Sequence, residues 1–224
     1  MNRRIAWTVM VLALWGCGSH QSDMSPDAQK LGAAPLPKLN DQPLTANTRF
    51  ATGQLAEAQG LFDVAIMQYQ EALKIDPKHQ PTLFRLGIVY TVTQQFDQAI
   101  AIWQRYIKVT NGSAAAYSNL AFCYEQAGRW DDAKKAYEAG IAKDPKSVVC
   151  RTNYGLMLAR QGHMPEAIRI WQPALSEAEI HYNLASVYEL QGRKEAARKE
   201  YQKALELDPK MVEAKTRLAG LDAK

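Results

Sequence analysis

The chain has 224 residues, 47% hydrophobic and 22% charged, a length suited to one elongated domain or a small compact pair. Its net charge is +4, and with Arg3 and Arg4 left out 25 basic residues face 23 acidic ones, interspersed rather than gathered in runs. That balance leaves no basic surplus for nucleic acid, and three cysteines are too few for a disulfide framework.

At the N-terminus Asn2-Arg3-Arg4 precedes an apolar run from Ile5 to Trp15. Eleven residues fall well short of the roughly 20 a membrane-crossing helix needs, so the run is read as a secretory signal and left out of the fold. Leu14-Trp15-Gly16-Cys17 resembles the bacterial lipobox, with Trp15 departing from the small residue usual there. The resemblance implies a signal peptide over 1–16, cleavage before Cys17 and a membrane anchor of acyl chains on that cysteine, each buried CH2 contributing about 0.8 kcal/mol. Gly18, where an Asp would signal inner-membrane retention, implies an outer-membrane lipoprotein facing the periplasm. The alternative is ordinary secretion with Cys17 discarded. Residues 17–45, with scattered Ser, Pro, Gln and Asp and no apolar period, read as a disordered tether with an end-to-end distance on the order of 30 Å.

From residue 46 onward the sequence repeats. FDVAIMQYQEALKIDP, FDQAIAIWQRYIKVTN, WDDAKKAYEAGIAKDP and RKEAARKEYQKALELDP align on Ala65, Ala99, Ala133 and Ala197 and on the aromatics Tyr69, Trp103, Tyr137 and Tyr201. Each follows a second helical segment: LGIVYTVTQQ, LAFCYEQAG, YGLMLARQG and LASVYELQG. The spacing predicts helix pairs over 46–79, 80–113, 114–147, 148–177 and 178–211, with a charged capping helix over 212–224. Small residues at Gly53, Gly87, Ala121, Gly155 and Ala185 are expected where the two helices of a pair approach, set against the aligned alanines. Asp76-Pro77, Asp144-Pro145 and Asp208-Pro209 should end second helices, since proline cannot continue the hydrogen-bond ladder. The fourth unit is four residues short and has Pro173 in its last turns, which predicts an early end or kink near Trp171, or else a deletion absorbed in a connecting turn.

This pattern resembles the tetratricopeptide repeat, over about four fifths of the chain, and implies an all-α solenoid of about five helix-turn-helix units that binds proteins. In that family the first helix of each unit lines the concave side, which implies an inner wall including Phe50, Phe84, Ile88, Val92, Phe122, Leu156 and Tyr182, with Glu125, Arg160 and Glu189 among them. Such a groove suits an amphipathic helix or an extended peptide with apolar anchors. Asn119, Asn153 and Asn183 recur at the sixth position of units three to five. Either they form a row that pairs with peptide backbone, like the asparagine ladder of O-linked N-acetylglucosamine transferases, or they are amides common at that position in bacterial repeats. The basic residues that grip a C-terminal carboxylate in Hsp70/Hsp90 co-chaperones are missing from Phe50, Gln54 and Phe84, which disfavours that partner class.

No catalytic constellation, metal-ligand spacing or phosphate loop is visible, so the expectation is a non-enzyme with no cofactor, no metal and no small-molecule substrate. Trp130 is expected to fill a core position, and Cys123 and Cys150 to be buried thiols rather than a disulfide. The chain is also similar to lipid-anchored repeat proteins that act as pilotins for type IV pilus secretins or tether peptidoglycan enzymes. That likeness implies a scaffold in the cell envelope, the alternative being a self-assembling envelope component.

Overall fold

The computed structural model describes residues 44–222, and the proposed signal, Cys17 and nearly all of the tether lie outside them. Eleven helices follow in chain order: α1 Ala46–Ala58, α2 Phe62–Ile75, α3 Gln80–Val92, α4 Phe96–Thr110, α5 Ala114–Gln126, α6 Trp130–Lys143, α7 Val148–Arg160, α8 Met164–Trp171, α9 Glu177–Leu190, α10 Lys194–Leu207 and α11 Val212–Asp222. They pair as α1 with α2, α3 with α4, and so on to α10, with α11 against α10. The first helices of neighbouring units also touch directly, α1 with α3, α5 with α7 and α7 with α9, so they form the inner wall and the second helices sit outside.

Local sequence explains where these helices start and stop. Thr45, Ser113, Ser147 and Ser176 each accept a hydrogen bond from the backbone N–H three residues on, satisfying a donor that the first turn leaves orphaned. At Ser176 the exchange is reciprocal, because Glu179 reaches back to the Ser176 N–H and closes a capping box. Asp76, Asp144 and Asp208 terminate α2, α6 and α10, and each carboxylate accepts the N–H two residues further on. Between paired helices the turn needs a left-handed residue, supplied by Gly60, Gly128, Gly162 and Gly192, and by Gln94 at φ 59° in the second unit.

The nearest neighbours of Gly53, Gly87 and Gly155 are aromatic rings of the second helices. A Cβ added at Gly87 would stand 2.8 Å from the Trp103 ring, and at Gly53 and Gly155 it would run into the Tyr69 and Trp171 rings more closely still. Each glycine thus seats the aromatic one turn beyond the aligned alanine, a ring laid flat against bare backbone. Those rings are the core: Tyr69, Tyr137, Trp171 and Tyr201 are fully buried and Trp103 is 1% exposed. Cys123 and Cys150 are free and buried, and burial pushes the Cys150 thiol up to about 11, so it stays protonated and inert. Trp130 departs from expectation. It is 48% exposed at the start of α6, on a recess it shares with Met157, Arg160 and Gln161 of the next unit.

In the fourth unit α8 ends at Trp171 after eight residues, two turns only, and Leu175 folds back with its N–H on the Trp171 carbonyl. The core divides at the next helix. Ile180, Leu184 and Val187 of α9 belong to the larger cluster that begins at Ala56, whereas Ala185 packs with Ala197, Tyr201 and Ala214 in a smaller one.

Candidate functional site: the inner wall and its clamps

The positions expected to face inward are unequal in the structure. Val92 is 59% exposed and Phe84 37%, while Phe50, Ile88, Phe122, Leu156 and Tyr182 are half-buried. Part of this covering comes from within the same unit. Phe50 lies 5.8 Å from the Tyr69 ring, Phe84 stands edge-on to Trp103 at 5.6 Å, and Tyr182 is 5.7 Å from Tyr201. An aromatic at the fifth position therefore braces its own helix pair and offers the groove only an edge.

The asparagines do not make an even row either. Asn119 and Asn153 are half-buried, with Asn153 Nδ2 donating to Ser118 Oγ at 3.0 Å, and Asn183 is 9% exposed. Among the described residues the Asn183 side-chain amide has no hydrogen-bond partner.

Three of the five units share a second feature that the sequence reading missed. The buried tyrosine hydroxyl of the second helix donates to a glutamate on the first: Tyr69 to Glu57 at 2.7 Å, Tyr137 to Glu125 at 3.4 Å and Tyr201 to Glu189 at 2.8 Å. An arginine from the following unit or from α11 then reaches each carboxylate: Arg85 to Glu57, Arg160 to Glu125 at 3.0 Å and Arg217 to Glu189 at 3.5 Å. Where the aromatic is tryptophan no carboxylate is present. Trp103 Nε1 donates to Thr91 Oγ1, and Trp171 Nε1 to the Thr152 carbonyl. The reason is donor chemistry, since a phenol is best met by an acceptor that can also recruit an arginine, whereas an indole N–H is satisfied by one neutral oxygen. Glu125 is the most enclosed of the three, 5% exposed. Burial pushes its carboxyl up, and the Arg160 charge and the Tyr137 hydroxyl pull it part of the way back.

Beside the short fourth unit a recess of about 620 Å³ lies on the inner wall, shared by α7, α9 and α11. Tyr182 and Asn183 line it as two of the expected wall residues, together with Val148, Leu175, Glu179, Met211 and Glu213, which the sequence reading did not single out. The short unit was the signal that could have found them. Among the described residues no cluster of His, Cys, Asp or Glu is arranged to hold a metal, and no helix is long and apolar enough to cross a membrane.

Stacked helix pairs with one helix of each inside and the other outside, and an inner wall of mixed apolar and amide character, define an α-solenoid of the kind that carries binding grooves. Two tetratricopeptide repeat models match the sequence, one over 114–147 and 178–211 and the other over 50–119, together more than half of the chain. The chain belongs to the tetratricopeptide repeat family. Proteins of this family mediate protein–protein interaction and scaffolding, binding proteins or peptides in a groove, and the fold is typically non-catalytic.

Among solved structures the chain is similar to the MamA protein, with 25% identity, a TM-score of 0.63, and coverage of 77% of this chain and 96% of that one. Among curated proteins it is 31% identical over 179 residues to protein O-mannosyl-transferase TMTC1 of Homo sapiens, covering 76% of this chain and 20% of that protein. It is 27% identical over 156 residues to BBSome complex member BBS4 of Bos taurus, covering 70% and 27%. The chain thus spans about a fifth to a quarter of the length of these curated relatives.

Proposed function

We propose that the protein is a non-catalytic scaffold held at the cell envelope by lipid on Cys17, with its solenoid facing the periplasm from the outer membrane and binding a partner protein along the inner wall. The observation that carries the groove is the apolar stripe Phe84, Ile88 and Val92 at i, i+4 and i+8 of the inner helix α3, where Phe84 is 37% and Val92 59% exposed. The lipobox-like Leu14-Trp15-Gly16-Cys17 supports the anchor, and such a tethered scaffold suits assembly of an envelope machine, whether a pilus secretin or a peptidoglycan enzyme.

In cells fed labelled palmitate, the wild type should take up label and co-purify its partner from membranes. Cys17→Ser should lose the label, and Val92→Glu with Phe122→Glu should keep the label and lose the partner. Label on Cys17→Ser, or full partner recovery with the double variant, counts against the corresponding half of the reading.

A second reading, self-assembly through the end of the solenoid, is favoured by Leu55. It is 61% exposed, whereas its equivalents one unit apart, Val89, Cys123, Met157 and Val187, are at most 2% exposed in the company of a preceding unit. A mass that rises with concentration in light scattering, and that Leu55→Glu returns to the monomer value, would support it.

A further inference from the structure

We propose that the recess between α7, α9 and α11 is the part of the groove that selects the partner, and that it takes a basic side chain of an extended peptide whose neighbouring residues are aliphatic. This rests on the groove reading above and adds the chemistry of the ligand.

Three observations point to it. Asn183 is more than nine-tenths buried, lines the recess and has no partner among the described residues, so its amide carries an unused donor and acceptor suited to a peptide unit. The recess wall carries three carboxylates, Glu179, Asp208 and Glu213, against one ammonium, Lys210. Local caps use only part of that acceptor capacity: Glu179 Oε2 serves Ser176 and Asp208 Oδ1 takes the Lys210 N–H, which leaves the second oxygen of each, while Glu213 is exposed and makes no ion pair among the described residues. Leu175, Met211 and Val148 supply apolar surface beside them, with Val148 50% exposed.

Apart from Lys210 on the recess wall, the nearby arginines have partners of their own. Arg217 faces Glu189, and Arg151 donates to the Pro145 and Ile170 carbonyls. An anionic ligand is disfavoured by the three wall carboxylates, and the Ser176–Glu179 capping box occupies two of the N-terminal N–H donors of α9. A volume of about 620 Å³ lies within the usual range for a small-ligand site and accommodates a long side chain with its flanking backbone.

The test uses the full chain and two acetylated, amidated nonapeptides, one alternating leucine with lysine and one alternating leucine with glutamate, titrated calorimetrically. The lysine peptide should bind at least tenfold more tightly than the glutamate peptide and weaken as salt is raised. Glu179→Gln with Glu213→Gln should cost that peptide at least tenfold with helix content unchanged, because glutamine still closes a capping box. Glu213→Lys alone, on an exposed side chain, should weaken it in the same direction, and Asp63→Lys, exposed on the outer helix α2, should not. Equal binding of the two peptides, binding of neither, or full affinity in the double variant overturns the proposal. Those results leave the groove reading standing if Val92→Glu with Phe122→Glu still loses the native partner, so the two failures are told apart.

Discussion

Trp171→Ala is expected to cost about 3–5 kcal/mol of folding stability, the upper range for removing a large buried side chain. The ring is fully buried, lies against the bare backbone at Gly155 and donates its indole N–H to the Thr152 carbonyl at 3.2 Å. Collapse around the vacated space is hindered, because the wall of the hole is helix backbone rather than movable side chains. The loss also has a local consequence. Trp171 and Ala167 are the buried residues of α8, which has only two turns, so without the indole it is held by Ala167 and the partly buried Met164, Ile168 and Ile170. Urea denaturation should show the drop in midpoint, and hydrogen exchange should show protection falling over 164–171 ahead of α2 or α4. A loss near 1 kcal/mol with α8 still protected would mean that α8 is held by contacts other than this ring.

Arg160→Ala should cost about 1–3 kcal/mol at neutral pH, because it leaves Glu125 enclosed with only the Tyr137 hydroxyl facing it. The figure stays below that of a fully enclosed pair, since Arg160 is 40% exposed and water replaces some of what it gives. The pH dependence follows from the direction of the shift. Burial already raises the Glu125 carboxyl, and removing the arginine takes away the main influence opposing that rise. A group whose folded-state value lies above its unfolded one contributes stability in acid and loses it as pH climbs through the folded value. The melting-temperature deficit of Arg160→Ala relative to wild type should therefore be small near pH 4 and grow toward pH 8. Adding Glu125→Gln should recover part of it at pH 8. A deficit independent of pH, or one deepened by Glu125→Gln, would exclude an ionic origin.

Helix pairing, register and punctuation were legible in the sequence. The 34-residue offset of Ala65, Ala99 and Ala133 is a plain repeat, and the Asp-Pro stops are settled within a turn of chain by backbone sterics, whereas Pro173 left an early end, a kink and an absorbed deletion open until α8 was seen to stop at Trp171. The openness of the groove was not legible in the same way. Phe84 and Val92 both fall at inward positions of α3, but Trp103 and Tyr106 of α4 come up beside Phe84 whereas Val92, on the last turn, is left bare. The Tyr–Glu–Arg clamps were likewise hidden. Tyrosine follows glutamate by 12 residues in all three and arginine by 28 in two, but Arg160 sits 35 residues from Glu125, so the arginine's place is set by how the units stack rather than by one fixed spacing.

What the sequence by itself determined is that this chain makes stacked pairs of helices of the tetratricopeptide kind, and where the Asp-Pro pairs stop three of the second helices. Only the tertiary structure decided which inward residues a partner can reach, which carboxylates are enclosed, and that a four-residue deletion in unit four accompanies an acidic recess beside α11. The physical reason is range. Helix formation is decided by neighbours along the chain, whereas exposure and charge environment depend on how whole units lean against one another, which the periodic pattern leaves free.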